Sequence, residues 1–378
     1  MPAQTADFLV IGAGMAGASA AAHLAEAGRV ILLEGEDQPG YHSTGRSAAL
    51  FSETYGPPPV RILTRAGRGF YEDRAGGLAE HPILSARGAL VYAMPRQERL
   101  LDTLWAELAP RDPTIRRLDA AELRRLVPVL RPEQAIAGVL EPGAMDIDVH
   151  GLHSAYLRLL RRRGGRFVNA APVTRLAHDG GVWTASTPAG EFAAPVVVNA
   201  AGAWADAVAA LAGLPPIGIV PKRRTALIVP PPPGMAIGSW PLTIDAAETG
   251  YFKPEAGKLL VSPADETPVA PSDVQPEELD VAIAIDRLAE RTTIAVHHVE
   301  RKWAGLRSFA ADKVPVVGFD PLAPGFFWLA GQGGYGIQAA EGLARSAAGL
   351  ISEGKLPADI AALGLDAAAL SPARFGRR

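Results

Sequence analysis

A glycine-rich turn and a single acid near the start of the chain are spaced for dinucleotide chemistry. Gly12-Ala13-Gly14-Met15-Ala16-Gly17 follows directly on the apolar run Phe8-Leu9-Val10-Ile11, and Glu34 ends a second apolar run, Val30-Ile31-Leu32-Leu33. In such a strand, turn, helix and strand unit, Gly12 permits the tight turn, Gly14 lets backbone N–H groups approach a pyrophosphate, and Gly17 allows the helix to pack closely on the strand. The phosphates then meet the unpaired N–H groups and positive dipole end of the helix. Glu34, about twenty residues on, can accept both ribose hydroxyls. A glycine turn alone is a weak signal, but in register with both strands, the helix and the acid it points to dinucleotide binding. Residues 18–27 are nearly all Ala, which keeps the helix thin, and Gly28 is placed to end it.

The elements that must position this turn recur along the chain. The run Val196-Val197-Val198 leads into Asn199-Ala200-Ala201-Gly202-Ala203-Trp204, and Phe326-Phe327-Trp328-Leu329-Ala330 leads into Gly331-Gln332-Gly333-Gly334-Tyr335-Gly336 and a small-residue helix over residues 337–351. Each reads as a buried strand followed by a close approach to the cofactor. The loop Gly40-Tyr41-His42-Ser43-Thr44-Gly45-Arg46-Ser47-Ala48-Ala49 is either solvated or wrapped around the rest of the cofactor, and its place after the first unit favours the second. Helices are expected over residues 60–73, after Pro57-Pro58-Pro59 has stopped regular structure, and over 98–108, 119–126, 149–163 and about 276–290. Nucleotide-type elements thus sit at the start, middle and end, with strand-rich material inserted twice. The expected fold is α/β: a Rossmann-like FAD-binding domain over residues 1–84, 145–215 and 308–378, and a strand-rich α+β substrate domain over 85–144 and 216–307. Three glycine-rich turns spread along the chain suit the long, buried FAD better than NAD.

Composition narrows the partners. With 378 residues, 48% of them apolar and 20% charged, the chain can build substantial cores, and a net charge of −3 offers no excess of cations for a nucleic-acid backbone. The absence of cysteine removes disulfides, thiolate metal sites and any cysteine-linked flavin, so FAD is expected to be non-covalent and no metal site is expected. No run approaches the roughly 18 apolar residues of a membrane helix, and the first residues lack a basic stretch followed by an apolar one, so a cytoplasmic protein is the expectation. Arg161-Arg162-Arg163 suits a helix C-terminus, and Pro230-Pro231-Pro232-Pro233 a rigid connector.

Over nearly its whole length the sequence resembles the FAD-dependent D-amino-acid oxidase superfamily, and within it the bacterial D-arginine dehydrogenases. The resemblance is carried by residues 40–49, Glu80-His81-Pro82, Pro221-Lys222-Arg223-Arg224, Trp303-Ala304-Gly305-Leu306-Arg307-Ser308-Phe309 and Gln332-Gly333-Gly334-Tyr335-Gly336-Ile337-Gln338. It implies oxidation of a D-amino acid to the imino acid by hydride transfer from Cα to flavin N5, followed by hydrolysis to a 2-oxo acid and ammonia. Arg224 and Arg307 would hold the substrate carboxylate, as a planar guanidinium does well, and Tyr251 would donate its hydroxyl to it. Gly334 would face the amine, Tyr55 would lie on a mobile loop over the site, and Glu80 would face the cationic end of D-Arg or D-Lys. The helix from about Ile337 would aim its positive end at the flavin.

Leu50 stands where the family pattern has a histidine, and the neighbouring loop also differs, which bears on substrate preference. The cofactor is expected to touch Gly12, Gly14, Met15, Ala16 and Gly17, then Glu34, His42, Ser43, Thr44, Arg46, Ser47 and Ala48. Further contacts are expected from Val173, Ala201, Gly202 and Trp204, and from Arg307, Gly333, Gly334, Tyr335, Gly336, Ile337 and Gln338. No side chain stands out as a base for the amine, His42 being near only in sequence. The electron acceptor is not legible. Rival readings are a sarcosine- or glycine-oxidase-like amine oxidase and a flavin-binding redox protein without catalysis.

Overall fold

The computed structural model describes residues 3–376; Met1, Pro2, Arg377 and Arg378, which fall inside the expected domain boundaries, lie outside the described residues. Its centre is a six-stranded sheet in the order Arg166–Val168, Val30–Leu33, Phe8–Ile11, Val196–Asn199, Phe326–Ala330, Val316–Phe319. The first five strands are parallel and the last pairs antiparallel. The continuous apolar runs follow from burial of both faces. Val10, Leu32, Val198, Phe327 and Leu329 pack towards the helices Met15–Leu24, Val149–Arg162 and Ala340–Ser352. Leu9, Ile31, Val197 and Trp328 point the other way, against Trp183 and Phe192 of a four-stranded sheet formed by Gln4–Thr5, Gly190–Ala194, Val182–Thr187 and Arg175–Asp179.

A ten-stranded sheet draws all but its edge strand Gln332–Gly333 from two separate stretches of chain. Ala89–Ala93, Arg116–Asp119 and Ala137–Glu141 come from the first, and Val220–Val229 through Arg301–Phe309 from the second. One face packs on the helix Glu278–Arg291 through Val281, Ala284 and Leu288. The other face carries Ala226, Tyr251 and Leu260 towards Ala48 of the loop after the first unit. The chain steps from the six-stranded sheet to this one at Gly331, whose φ of 72° leads into Gln332–Gly333 on the edge of the second sheet.

Several element ends differ from expectation. The first helix begins at Met15, with Gly14 as its N-cap, and stops at Leu24, so Gly28 does not cap it. Gly28 instead packs against Asp7 and Phe8, where a Cβ would lie 2.9 Å from the Asp7 carboxylate and 3.0 Å from the Phe8 ring. The prolines at 57–59 start a helix, Pro58–Glu72, because proline suits the first turn, where its missing N–H is not needed. The final helix begins at Ala340, three residues later than expected, because residues 336–339 form a turn. Asp119 caps the helix Ala120–Leu126 in a capping box with Glu122, as its sequence suggests. Among the described residues no helix is long and apolar enough to cross a membrane.

Candidate functional site

A single cavity of about 520 Å³ runs from the glycine turn to the inner face of the ten-stranded sheet. At its first end the backbone is tightly constrained. Gly12 has φ 100°, and a Cβ there would lie 2.6 Å from the Ala200 carbonyl oxygen; a Cβ at Gly17 would lie 1.7 Å from the Gly12 carbonyl oxygen. Gly17 therefore packs the helix onto the turn and does not line the cavity, whereas Gly12, Gly14, Met15 and Ala16 do. The turn is held from three sides. Ala13 N donates to Glu34 Oε2 at 2.8 Å, Met15 N donates to Thr44 Oγ1 at 2.9 Å, and Nε2–H of the buried His153 donates to Ala13 O at 2.9 Å. Glu34 also accepts from Glu36 N at 3.0 Å and lines this end, beside Val173, Ala201, Gly202 and Trp204.

The loop carrying His42, Ser43, Thr44, Arg46, Ser47 and Ala48 forms a side wall. Its polar side chains are largely committed to protein. Ser43 Oγ donates to Leu306 O at 2.7 Å, and Arg46 donates to Val274 O at 3.0 Å and Ala304 O at 3.2 Å while pairing with Asp273. The Arg46 hydrogen bond holds the Asp273 carboxyl below its ordinary pKa, against the opposing effect of burial. His42 pairs with Glu36 at 2.8 Å and packs its ring 4.6 Å from Trp204, at the ribose end and away from the arginines. The loop thus ties the cofactor unit to the strand Arg301–Phe309.

Arg224, Tyr251, Arg307 and Gly334 line the other end. Strand alternation and register place them: Lys222 lies opposite Arg307, and Arg224 opposite Gly305, on neighbouring antiparallel strands. Arg223, on the opposite face, is buried and pairs with Asp265, Asp280 and the exposed Glu277. Arg224 Nε donates to Asp265 O at 2.8 Å, and its Nη2 lies 3.2 Å from Glu266, which Lys222 also grips at 2.9 Å. Burial favours protonation of Glu266, but Lys222 and Arg224 outweigh it and lower its pKa. Arg307 is different: among the described residues it pairs with no carboxylate, and its one side-chain hydrogen bond reaches Tyr55 Oη at 3.5 Å. Burial disfavours its charge, yet Tyr55, Tyr251 and Glu266 offset this and its pKa lies above the ordinary value. Gly334 makes room for it, since a Cβ there would lie 2.9 Å from Arg307 Nη1, just as a Cβ at Gly333 would lie 2.3 Å from the Phe309 ring.

Three expected residues flank the cavity without lining it. The rings of Tyr55 and Tyr335 meet edge to face at 5.1 Å, and Gln338 Nε2 donates to Tyr55 O at 3.3 Å. Gly336 and Ile337 do line the cavity, but as part of the turn before the last helix, with Ile337 O accepting from Tyr71 Oη at 2.6 Å. The expected helix end at Ile337 is therefore corrected to Ala340.

Glu80 is not brought to the site. It is exposed, on the loop after the short helix Arg74–Gly77, and is not part of the cavity wall, because its neighbours Ala79 and Ile83 turn inward in its place. Leu50 is also outside the wall, paired with Asp146 in a small sheet. Sequence reasoning missed Glu141, buried against Ser52 and Thr54, and the Glu266 and Asp273 partners of the site arginines. Each is distant in sequence from its partner, and no local pattern marks them.

The residues present fit an extended dinucleotide: a turn in which Gly12 and Gly17 have no room for a side chain, an acid at one end, and a contiguous cavity leading to an arginine that pairs with no acid among the described residues. A family model described as FAD dependent oxidoreductase matches residues 7–350. The chain is 24% identical over 360 residues to the uncharacterized oxidoreductase YurR of Bacillus subtilis (strain 168), covering 88% of this chain and 91% of that protein. It is 26% identical over 411 residues to mitochondrial dimethylglycine dehydrogenase of Mus musculus, covering 98% of this chain and 44% of that protein, and so spans less than half the latter's length. Glycine oxidase from Geobacillus kaustophilus matches with a TM-score of 0.84 at 23% identity, over 98% of this chain and 99% of that one, which is a likeness of fold.

Proposed function

The chain belongs to the FAD-dependent oxidoreductase family, and on that premise we propose that it oxidises D-amino acids at the carbon bearing the amine, with Arg307 as the principal carboxylate anchor. FAD is its cofactor and, when bound, supplies the two-electron redox chemistry. The chain's own residues bind and orient. Arg307 carries the reading: a half-buried guanidinium on the cavity wall with no acid to pair with among the described residues. A substrate carboxylate would satisfy it bidentately. Tyr251, buried on the same wall, would donate its hydroxyl to that group, and Arg224 would add a second cation beside it.

At this end of the cavity no carboxylate or imidazole of the described residues lines the wall, so the chain's contribution to rate lies in positioning, which can supply several kcal/mol. An amine that has already lost its proton to solvent is then the form best bound. The choice of the D-enantiomer is supported by the sequence resemblance around residues 303–309 and 332–338. Selection for cationic side chains is not part of the proposal, because the acid expected to select them, Glu80, is exposed and off the wall.

The test is anaerobic bleaching of the bound flavin by D-amino acids, their L-enantiomers, glycine and sarcosine, in wild type and Arg307→Met. D-amino acids should bleach it. Arg307→Met should lower kcat/KM for each by about 2 to 4 kcal/mol, roughly 30- to 1000-fold, as a buried carboxylate loses its charged partner. Bleaching by L-amino acids or sarcosine alone, or wild-type kinetics in Arg307→Met, would overturn it.

A further inference from the structure

Residues 52–57 join the strand Leu50–Phe51 to the helix Pro58–Glu72 and carry Tyr55, whose hydroxyl meets Arg307. Under this loop lies a buried carboxylate that pairs with no cation among the described residues. Glu141, the last residue of the strand Ala137–Glu141, is 7% exposed, and its Oε2 accepts from Ser52 Oγ at 2.7 Å and Thr54 Oγ1 at 2.6 Å. Ser52 is itself buried, and its hydroxyl also accepts from Thr54 N at 3.4 Å. Burial raises the Glu141 pKa, and the two hydroxyls work against that rise.

A buried carboxylate without a counter-ion is a poor device for stability, since apolar side chains of similar volume commonly serve as well or better. What it does provide is direction. Two short charge-assisted hydrogen bonds to residues 52 and 54 fix the backbone on either side of Glu53 and set the path of the next residue, Tyr55. Between those two residues Glu53 turns the other way, pairing with Arg68 at 2.5 Å and Arg65 at 3.4 Å on the following helix, and the remaining contacts of the loop act further along. Gln338 holds Tyr55 O, and Arg61 Nε donates to Gly56 O at 2.6 Å. Among the described residues, apart from Arg307 itself at the Tyr55 hydroxyl, it is Glu141 that hydrogen-bonds the loop from the ten-stranded sheet that also carries Arg224 and Tyr251.

We propose that Glu141 is a positioning residue for substrate binding: by holding Ser52 and Thr54 to the sheet that carries Arg307, it keeps the Tyr55 hydroxyl at the guanidinium that takes the carboxylate. This rests on the carboxylate-anchoring role proposed above for Arg307. The sheet and the loop are thereby locked together at the site, and Tyr55 is held in register with the guanidinium that binds the anion.

The test uses the holoenzyme in four forms besides wild type: Glu141→Gln, Tyr55→Phe, the Glu141→Gln/Tyr55→Phe double variant, and Ser52→Ala/Thr54→Val as an alternative should Glu141→Gln fold poorly. Substrate Kd and limiting rate are read from anaerobic flavin reduction by a D-amino acid, and hydrogen exchange is read for residues 52–57. Glu141→Gln and Tyr55→Phe should each raise Kd roughly five- to tenfold with the limiting rate within about twofold, and the double variant should be no worse than either single one. Exchange in residues 52–57 should rise in Glu141→Gln and in Ser52→Ala/Thr54→Val. Multiplicative effects in the double variant, an unchanged Kd in Glu141→Gln, or unchanged exchange in the loop would each overturn the proposal. Failure of the underlying reading shows separately, as wild-type substrate binding in Arg307→Met.

Discussion

The glycines at 14 and 17 sit three residues apart, yet alanine at each should fail in a different way. At Gly14 the backbone is at φ −70° and ψ −174°, which alanine adopts without strain, and a Cβ would lie 3.4 Å from Thr44 Oγ1, an ordinary contact. Gly14→Ala should therefore leave the apoprotein as stable as wild type, or more stable by about 0.4–1 kcal/mol through the lost freedom of the unfolded chain. Its methyl group, however, faces the cavity where a pyrophosphate would meet backbone N–H groups. Losing one charge-assisted hydrogen bond there would weaken FAD binding by about 1.5–3 kcal/mol, roughly 10- to 150-fold. At Gly17 the added Cβ would lie 1.7 Å from a backbone oxygen and 3.0 Å from its carbon, which no rotamer change relieves. The helix would have to move off the turn by about 2 Å to restore contact distance, so Gly17→Ala should destabilise the apoprotein by about 1–3 kcal/mol or more. Thermal unfolding of the apoproteins, FAD titration and the flavin-to-protein absorbance ratio separate the two. An unchanged FAD Kd in Gly14→Ala, or an unchanged apoprotein Tm in Gly17→Ala, would refute this account of the turn.

His153 is buried, and that burial lowers its pKa, with its bond to Ala13 O opposing the shift and the charge of His150 adding to it. Below about pH 6.5 the unfolded chain takes up a proton that the folded chain refuses. Stability should therefore fall as pH drops towards the folded pKa, by up to about 1.4 kcal/mol per pH unit from this group. Urea midpoints of wild type and His153→Gln between pH 7 and 5 should diverge accordingly; parallel curves would remove His153 as the cause. Glu80→Leu should leave the ratio of kcat/KM for D-Arg over D-Leu within about twofold of wild type, since Glu80 is exposed and off the cavity wall; a tenfold fall would return it to the site.

Short-range physics made the cofactor half legible. Phe8–Ile11, Val30–Leu33, Val196–Asn199 and Phe326–Ala330 stand out as unbroken apolar runs because sheets on one side and helices on the other bury both faces. Helix starts were harder to read, because Gly14 and Ala339 cap without a side-chain bond and leave no local mark. The substrate half depends on register. Nothing in Lys222-Arg223-Arg224 says which arginine turns to the cavity until the pairing with Arg301–Phe309 is known, and that pairing joins residues about eighty positions apart. Glu80 failed for the same reason: a short motif identifies a loop, but the packing of Ala79 and Ile83 decides which way its acid points. Glu141 left no trace because its partners lie 87 and 89 residues away.

The strand order of the central sheet also constrains when the protein can take up its cofactor in the cell. The strand with the glycine turn, Phe8–Ile11, is made first, but its neighbour Val196–Asn199 comes much later, and that strand's other neighbour, Phe326–Ala330, later still. A chain growing at about 5–20 residues per second must wait roughly 6 to 40 seconds for each of these two strands. Until residues 326–337 have left the ribosome the cavity lacks one wall, and apolar strands buried on both faces in the finished fold remain uncovered. A complete flavin site therefore requires residues 326–337, and a nascent chain that stops before them has only part of the cavity in which FAD would bind.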